Sequence, residues 1–207
     1  MPTDDNDNED EDDGRGVVRV QIVFAPLPEE DRDADSSAAR EFADRTADAF
    51  RDSDSDTTSC CDVVETCHLA EWDKDAAFAT ASTRTTAVLL LVSCGPDGSV
   101  HRSVRKTTKW LKERSPTSST TTTTTVAAVA LLGGAVCKTS AEQMEDQIYA
   151  SGRKLAKALK TIAANSNDGD GPSFRLETQI ELEAPEEKFD GWVRSWVERL
   201  SFPRKTV

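Results

Sequence analysis

Short β-branched runs alternate along the chain with longer amphipathic stretches. Gly16 to Ala25 reads as a strand with Val18, Val20 and Ile22 on one face. Val17 and Val23 break strict alternation, so both of its faces are expected to be covered. Ser36 to Phe50 predicts a helix, with Ser36 or Ser37 as its N-cap and Ala38, Phe42 and Ala49 on one side. Cys61 to Cys67 is a weaker strand pattern, followed by a polar connection around Trp72. Thr85 to Cys94 contains no charge at all, the mark of a central strand in a parallel sheet flanked by helices on both faces. His101 to Glu113 carries Val104, Thr108 and Leu111 at helical spacing, and Val126 to Leu132 is a fourth apolar strand ending in Gly133-Gly134. Ala141 to Ala164 predicts a long helix with Met144, Ile148, Leu155, Leu159 and Ile162 as its stripe. Ser173 to Leu182 alternates as a half-exposed strand does, and Pro185 to Leu200 is a last helix with proline in its first turn.

Parallel neighbours need crossover connections and helices supply them, so this order predicts an α/β doubly wound five-stranded parallel sheet. The domain is expected over residues 16–201. Outside it fall a disordered acidic tail at 1–15, a short C-terminal tail at 202–207, and two polar inserts. These are Asp52 to Ser59 and the low-complexity stretch Ser115 to Thr125, which ends in six consecutive threonines.

At 207 residues the chain has room for one domain with a full core. Its formal charge is -13, but Asp4, Asp5, Asp7, Glu9, Asp10, Glu11, Asp12 and Asp13 supply eight of those negative charges, so most of the acidity is a tail. The stripe Arg102, Arg105, Lys106, Lys109 is too modest for the electrostatic footprint of a nucleic-acid binder, and no nucleic-acid partner is expected. An Asp-rich start fits neither a secretory signal nor an Arg-rich transit peptide. The longest apolar run, Ala87 to Val92, is strand-sized, far short of the roughly 18 to 20 residues that cross a bilayer. A cytoplasmic protein without membrane contact is the expectation. Five cysteines (Cys60, Cys61, Cys67, Cys94, Cys137), odd in number and irregular in spacing, suit reduced thiols. Cys60-Cys61 with Cys67-His68 matches no zinc spacing, so no metal site is expected.

Four stretches carry a family resemblance. Ala39-Arg-Glu-Phe-Ala-Asp-Arg45 is similar to a first helix written A-x-E-F-A-x-R. Leu90 to Gly98, followed by Trp110-Leu-Lys-Glu113, is similar to a strand, flavin loop and W-L helix. Ser151-Gly-Arg-Lys-Leu-Ala-Lys-Ala-Leu159 is similar to a G-x-x-x-D-x-x-L helix, and Glu186 to Trp192 to a closing L-E-E-D-F-x-x-W. In this order they resemble the flavodoxin-like FMN domain of the diflavin reductases and of the tRNA wybutosine-synthesising enzymes, over residues 16–201. The resemblance implies strand order 2-1-3-4-5, an FMN cofactor, electron transfer to a redox protein partner, and no catalytic side chain beyond the flavin. It also implies three flavin loops. Ser36, Ser37 and Ala38 match the phosphate loop, Ser93, Cys94, Gly95, Asp97 and Gly98 the second loop, and Gly133, Gly134 and Ala135 the third.

The sequence departs from that pattern at each loop. Pro26 to Asp35 is inserted before the phosphate-loop residues and carries Glu29, Glu30, Asp31, Asp33 and Asp35 against Arg32. Gly95 stands where the family has the aromatic that stacks on the flavin, and Cys137 and Lys138 replace an Asn and an aromatic. Plainer readings exist for every residue named. A serine at a helix start is an N-cap, a Gly-Gly pair ends a strand, Cys94 is a buried thiol, His101 a surface residue at a helix start, and Trp192 with Trp196 is helix packing. The family resemblance favours an FMN electron carrier as the expected function; the alternatives are a degenerate flavodoxin-like module that binds no flavin and serves protein interaction, and a remnant of a larger diflavin or wybutosine-synthesis enzyme.

Overall fold

A computed structural model describes residues 18–30, 37–52, 61–77, 85–95, 97–113, 124–133, 148–166, 173–182 and 185–201. Its strands are β1 (Val18–Ala25), β2 (Cys61–His68), β3 (Thr85–Ser93), β4 (Thr124–Leu132) and β5 (Ser173–Leu182). Its helices are α1 (Ala38–Asp52), α2 (Lys74–Ala77), α3 (Arg102–Glu113), α4 (Ala150–Ser166) and α5 (Pro185–Ser201). The sheet order is β2-β1-β3-β4-β5 with every neighbouring pair parallel: the parallel sheet is the one the chain pattern predicts, and the order is the one the resemblance implies.

The uncharged run at Thr85 to Ser93 sits at the centre, where both faces are shut off from water. Val88, Leu90 and Val92 face one side and Ala87, Leu89 and Leu91 the other, and all six are buried. The first side is covered by α3 and α4 through Val104, Leu111, Leu155 and Leu159. The second is covered by α1 and α5 through Phe42, Phe50, Phe189 and Trp196. Phe42 meets Phe189 with ring centres 4.7 Å apart, and Phe50 meets Trp196 edge-on at 5.6 Å. Burying side chains of this size contributes about 1.5 to 3 kcal/mol each, so these two apolar layers hold the sheet between its helices.

Several expected boundaries move. The polar connection after β2 contains the single turn α2, and Trp72 within it is buried, its indole N–H donating to Gln21 Oε1 at 3.1 Å. That bond ends a polar chain, since Gln21 Nε2 donates to Glu65 Oε2 at 3.3 Å and Arg19 donates to both Glu65 oxygens at 2.8 and 2.7 Å. Arg19 and Gln21 can therefore stand in an otherwise apolar strand because a neighbouring edge strand supplies their partner. Helix α1 runs on to Asp52, which the sequence reading had placed in an insert. Likewise Thr124 and Thr125, the end of the threonine run, belong to β4, and the Thr125 hydroxyl reaches the Ala77 carbonyl at 3.4 Å. The tails at 1–15 and 202–207, most of both inserts, and the first part of the long helix including Met144 lie outside the described residues.

Candidate functional site

Strands β1 and β3 adjoin, yet β1 leads into α1 on one face and β3 into α3 on the other. Their connections part above the carboxyl ends of the strands, the place where ligands sit in open α/β sheets. Those sequence-derived site residues that are described lie at the carboxyl ends of β1, β3 and β4 or on the connections that follow them.

After β1 the chain makes a tight turn at Pro28–Glu30, over a buried Leu27. The Glu30 N–H donates to the Leu27 carbonyl at 3.0 Å, and the Leu27 N–H donates to the Glu30 carboxylate at 3.0 Å. An internal carboxylate thus takes a backbone donor at the end of β1. Ser37 is buried and caps α1: its hydroxyl accepts the Arg40 N–H at 3.2 Å and its carbonyl the Glu41 N–H at 3.1 Å. Ala38, the first helical residue, is exposed and offers no polar side chain. Ser36 lies outside the described residues.

After β3, Ser93 and Cys94 are buried, and the Cys94 N–H donates to the Leu132 carbonyl at 2.8 Å, which ties this loop to the end of β4. The next residues close on themselves. Gly95 N–H donates to the Ser99 carbonyl at 2.8 Å, Gly98 N–H to the Gly95 carbonyl at 2.9 Å, and Ser99 N–H to Asp97 Oδ1 at 2.9 Å. Gly98 takes a left-handed φ of 73°, which only glycine adopts at no cost. A Cβ at Gly95 would collide with Ser99 Oγ and lie 3.1 Å from Asp97 Oδ1. The Asp97 carboxyl, exposed to water, is held below its ordinary pKa because the Ser99 hydroxyl and then the Ser99 N–H bond to its ionised form.

After β4, the Gly133 N–H donates to the Leu182 carbonyl at 2.9 Å. A Cβ at Gly133 would meet Tyr149 Oη at 2.7 Å and Cε1 at 2.9 Å, so the tyrosine ring is seated directly on the glycine. Beside it Arg153 holds its guanidinium carbon 5.8 Å from the Tyr149 ring centre and makes two bonds of 2.7 Å to the Glu181 carboxylate. Gly134 and Ala135 lie outside the described residues.

Three residues at this edge escaped the sequence reading. His101 is 2 % exposed, not a surface residue. Its Nδ1 accepts the Ser103 N–H at 3.3 Å and shares a 2.7 Å bond with the Ser103 hydroxyl, capping α3. Its ring packs edge-on against His68 at 5.1 Å, and His68 against Phe24 at 5.5 Å. The one local clue was a histidine two residues before a serine at a helix start. The third is Tyr149, sixteen residues along the chain from the glycine it covers.

Burial, and then the nearby Glu65 and Glu71, push the Cys67 thiol up to about 11, with Lys74 opposing them weakly. We expect its alkylation by iodoacetamide, followed by peptide mapping, to rise about tenfold per pH unit from pH 8 to 10 without levelling off, because the thiolate is the reactive form. An ordinary thiol would level off near its pKa of about 8.5. A plateau below pH 10 at Cys67 would contradict this. Among the described residues no three His, Cys, Asp or Glu side chains are grouped to hold a metal ion, and no helix is long and apolar enough to cross a membrane.

No protein-family model matches the chain, and no curated protein matches its sequence. Solved structures do match its backbone. Oxidised flavodoxin 1 from Bacillus cereus aligns over 89% of this chain and 99% of its own, at TM-score 0.50 and 14% identity. A cysteine-to-alanine variant of Pseudomonas aeruginosa flavodoxin aligns over the same shares at TM-score 0.52 and 15% identity. The fold is flavodoxin-like. A third such structure, Fusobacterium nucleatum flavodoxin bound to flavin mononucleotide, covers 88% of this chain and 96% of its own at TM-score 0.50 and 11% identity. At these identities the flavodoxin likeness is one of backbone path. The finer resemblance to diflavin reductases and wybutosine-synthesising enzymes rests on the four sequence motifs alone.

Proposed function

We propose that this chain is a flavodoxin-like module that acts through its protein surface and holds no flavin. The observation that carries this reading is the loop after β3, whose Gly95, Gly98 and Ser99 N–H groups are all spent within the loop. Presenting them to a flavin ring would break bonds worth about 0.5 to 1.5 kcal/mol each. No aromatic stands at Gly95 to repay that loss by stacking, and a Cβ there already collides with Ser99 Oγ. The other two loops support the same reading. Tyr149 fills the space beside Gly133, and Glu30 adds a carboxylate to the connection between β1 and α1, the connection that in the resembling family receives a phosphate dianion. Like charges a few Å apart oppose each other by about 1 to 4 kcal/mol depending on local dielectric. A helix N-terminus returns only about 0.3 to 1 kcal/mol at an exposed site. These observations support a reading in which the described residues do not receive FMN.

One observation favours the second reading, an FMN electron carrier. A serine-capped helix N-terminus follows the connection after β1, and such an end attracts phosphate. The absorption spectrum of the purified, desalted protein and a fluorescence titration with added FMN separate the two. We expect a colourless protein and no saturable quenching; flavin bands that survive desalting, or saturable quenching, would establish the electron carrier.

A further inference from the structure

Helices α3 and α4 lie side by side on one face of the sheet. Between them they carry Arg102, Arg105, Lys106, Lys109, Lys112, Arg153, Lys154, Lys157 and Lys160 against a single carboxylate, Glu113. All of these cations but the half-buried Arg153 are exposed. Arg153 is committed to Glu181, and Lys109 reaches Glu113 at 3.7 Å. Among the described residues none of Arg105, Lys106, Lys112, Lys154, Lys157 and Lys160 makes an ion pair. The opposite face is built differently, with Arg40 on Asp44, Arg51 on Asp48 and Arg45 on Asp190. In a chain of formal charge -13 the helices on this side thus carry a net positive charge, while α1 and α5 on the other are each net negative.

Local electrostatics do not favour that gathering. Neither helix has an acid in its first turn, where the dipole calls for one, and Arg102, Arg105, Arg153 and Lys154 sit near those positive ends instead. Arg102 with Lys106, Arg105 with Lys109, and Arg153 with Lys157 are like charges one helical turn apart, which destabilise a helix. A bound anion would relieve both conflicts.

We infer that the α3/α4 face is a docking site for an acidic polypeptide segment, and that its occupant is the segment 4–13 of this same chain. That segment holds eight carboxylates and no base within ten residues. Its attachment places it well. A helix that returns between parallel strands ends where the strands begin. Lys109 and Lys112 on α3, and Lys157 and Lys160 on α4, therefore lie toward the edge of the sheet at which β1 starts. Asp13 is five residue steps from Val18, and an extended chain spans about 3.5 Å per residue, so it reaches past one helix diameter of about 10 Å. Tethering also sets a high effective concentration. A nucleic acid is the less suitable occupant: the net charge repels it, and the face offers only a half-buried Trp110 for base stacking. This inference names a partner chemistry for the interaction-module reading and rests on it. Flavin titration and crosslinking have separate readouts, so either can fail alone.

Zero-length carbodiimide crosslinking of the full chain, followed by digestion and mass spectrometry, tests it. At low salt we expect amide links from carboxylates of residues 4–13 to the α3 and α4 lysines, at least about tenfold over links to Lys74 or Lys188, and lost at about 0.5 M salt, where screening falls to a few Å. A variant with Lys109→Glu, Lys112→Glu, Lys157→Glu and Lys160→Glu, its circular dichroism unchanged, should lose those links. The protein lacking residues 1–13 should bind a synthetic peptide of residues 1–15 in trans. Links spread evenly over all lysines, links found only between two copies, or a truncated protein that binds single-stranded DNA and not the peptide would each overturn the inference.

Discussion

Replacing Trp196 by alanine is expected to cost about 3 to 5 kcal/mol of folding stability, the range for removing a large aromatic from a packed core. Trp196 is fully buried between α1, α5 and the sheet, with Phe50 edge-on at 5.6 Å and Phe189 in the same cluster. Phenylalanine at the same position should cost far less, within about 1.5 kcal/mol. The indole Nε1 has no hydrogen-bond partner among the described residues, and a buried unpaired donor carries a penalty of about 1 to 3 kcal/mol that Phe removes. Urea unfolding followed by circular dichroism, with an unchanged slope, reads both values. Equal losses for the two variants would mean that the N–H is satisfied in solution.

The second large effect is expected at Gly152. A Cβ there would stand 2.6 Å from Leu131 Cδ2, 3.0 Å from Cδ1 and 3.3 Å from Cys94 Sγ, so α4 rides on the ends of β3 and β4 at a distance where any side chain must displace Leu131. Gly152→Val should destabilise by about 1 to 3 kcal/mol through overpacking, more than the gain from removing a helical glycine, which is at most about 0.5 to 1 kcal/mol. Adding Leu131→Ala makes room for the new side chain. The double variant should therefore be more stable than the sum of its parts by about 0.5 to 3 kcal/mol, as measured in a double-mutant cycle. Additivity would place the strain elsewhere. The glycine of the Ser151-to-Leu159 motif is thus explained by helix-on-sheet packing, with no ligand needed.

Periodicity and burial requirements act within a few residues, and they are where the sequence was readable. The uncharged run Thr85 to Ser93 had to be central because a nine-residue strand without charge has no solvent-facing side. The alternation of β-branched runs with amphipathic stretches then required crossovers, and the order of the resembling motifs indicated which strands are neighbours. A serine N-cap at 36 or 37, which is Ser37, and Trp196 as packing followed from spacing in the same way. The reading failed where a residue's role depends on a partner far away in sequence. His101 looks like a polar residue at a helix start. It is buried because its Nδ1 is consumed by the Ser103 N–H and its ring is met by His68 at the end of β2.

The candidate site divides along the same line. Which residues stand at the strand ends was decided by the chain pattern, because each loop must follow its strand. Whether those loops are open to a ligand was decided only in three dimensions. The N–H groups of Gly95, Gly98 and Ser99 close on their own loop, Tyr149 comes from α4's leading edge to cover Gly133, and Glu30 folds back onto Leu27. Charge behaves similarly. The sequence shows one modest basic stripe on α3, a second on α4 and an acidic segment ahead of β1, and read in line they average to an acidic protein. Packing the two helices onto the same face sums the stripes within reach of one another, because electrostatic effects follow distance in space while sequence order only limits what can be brought near.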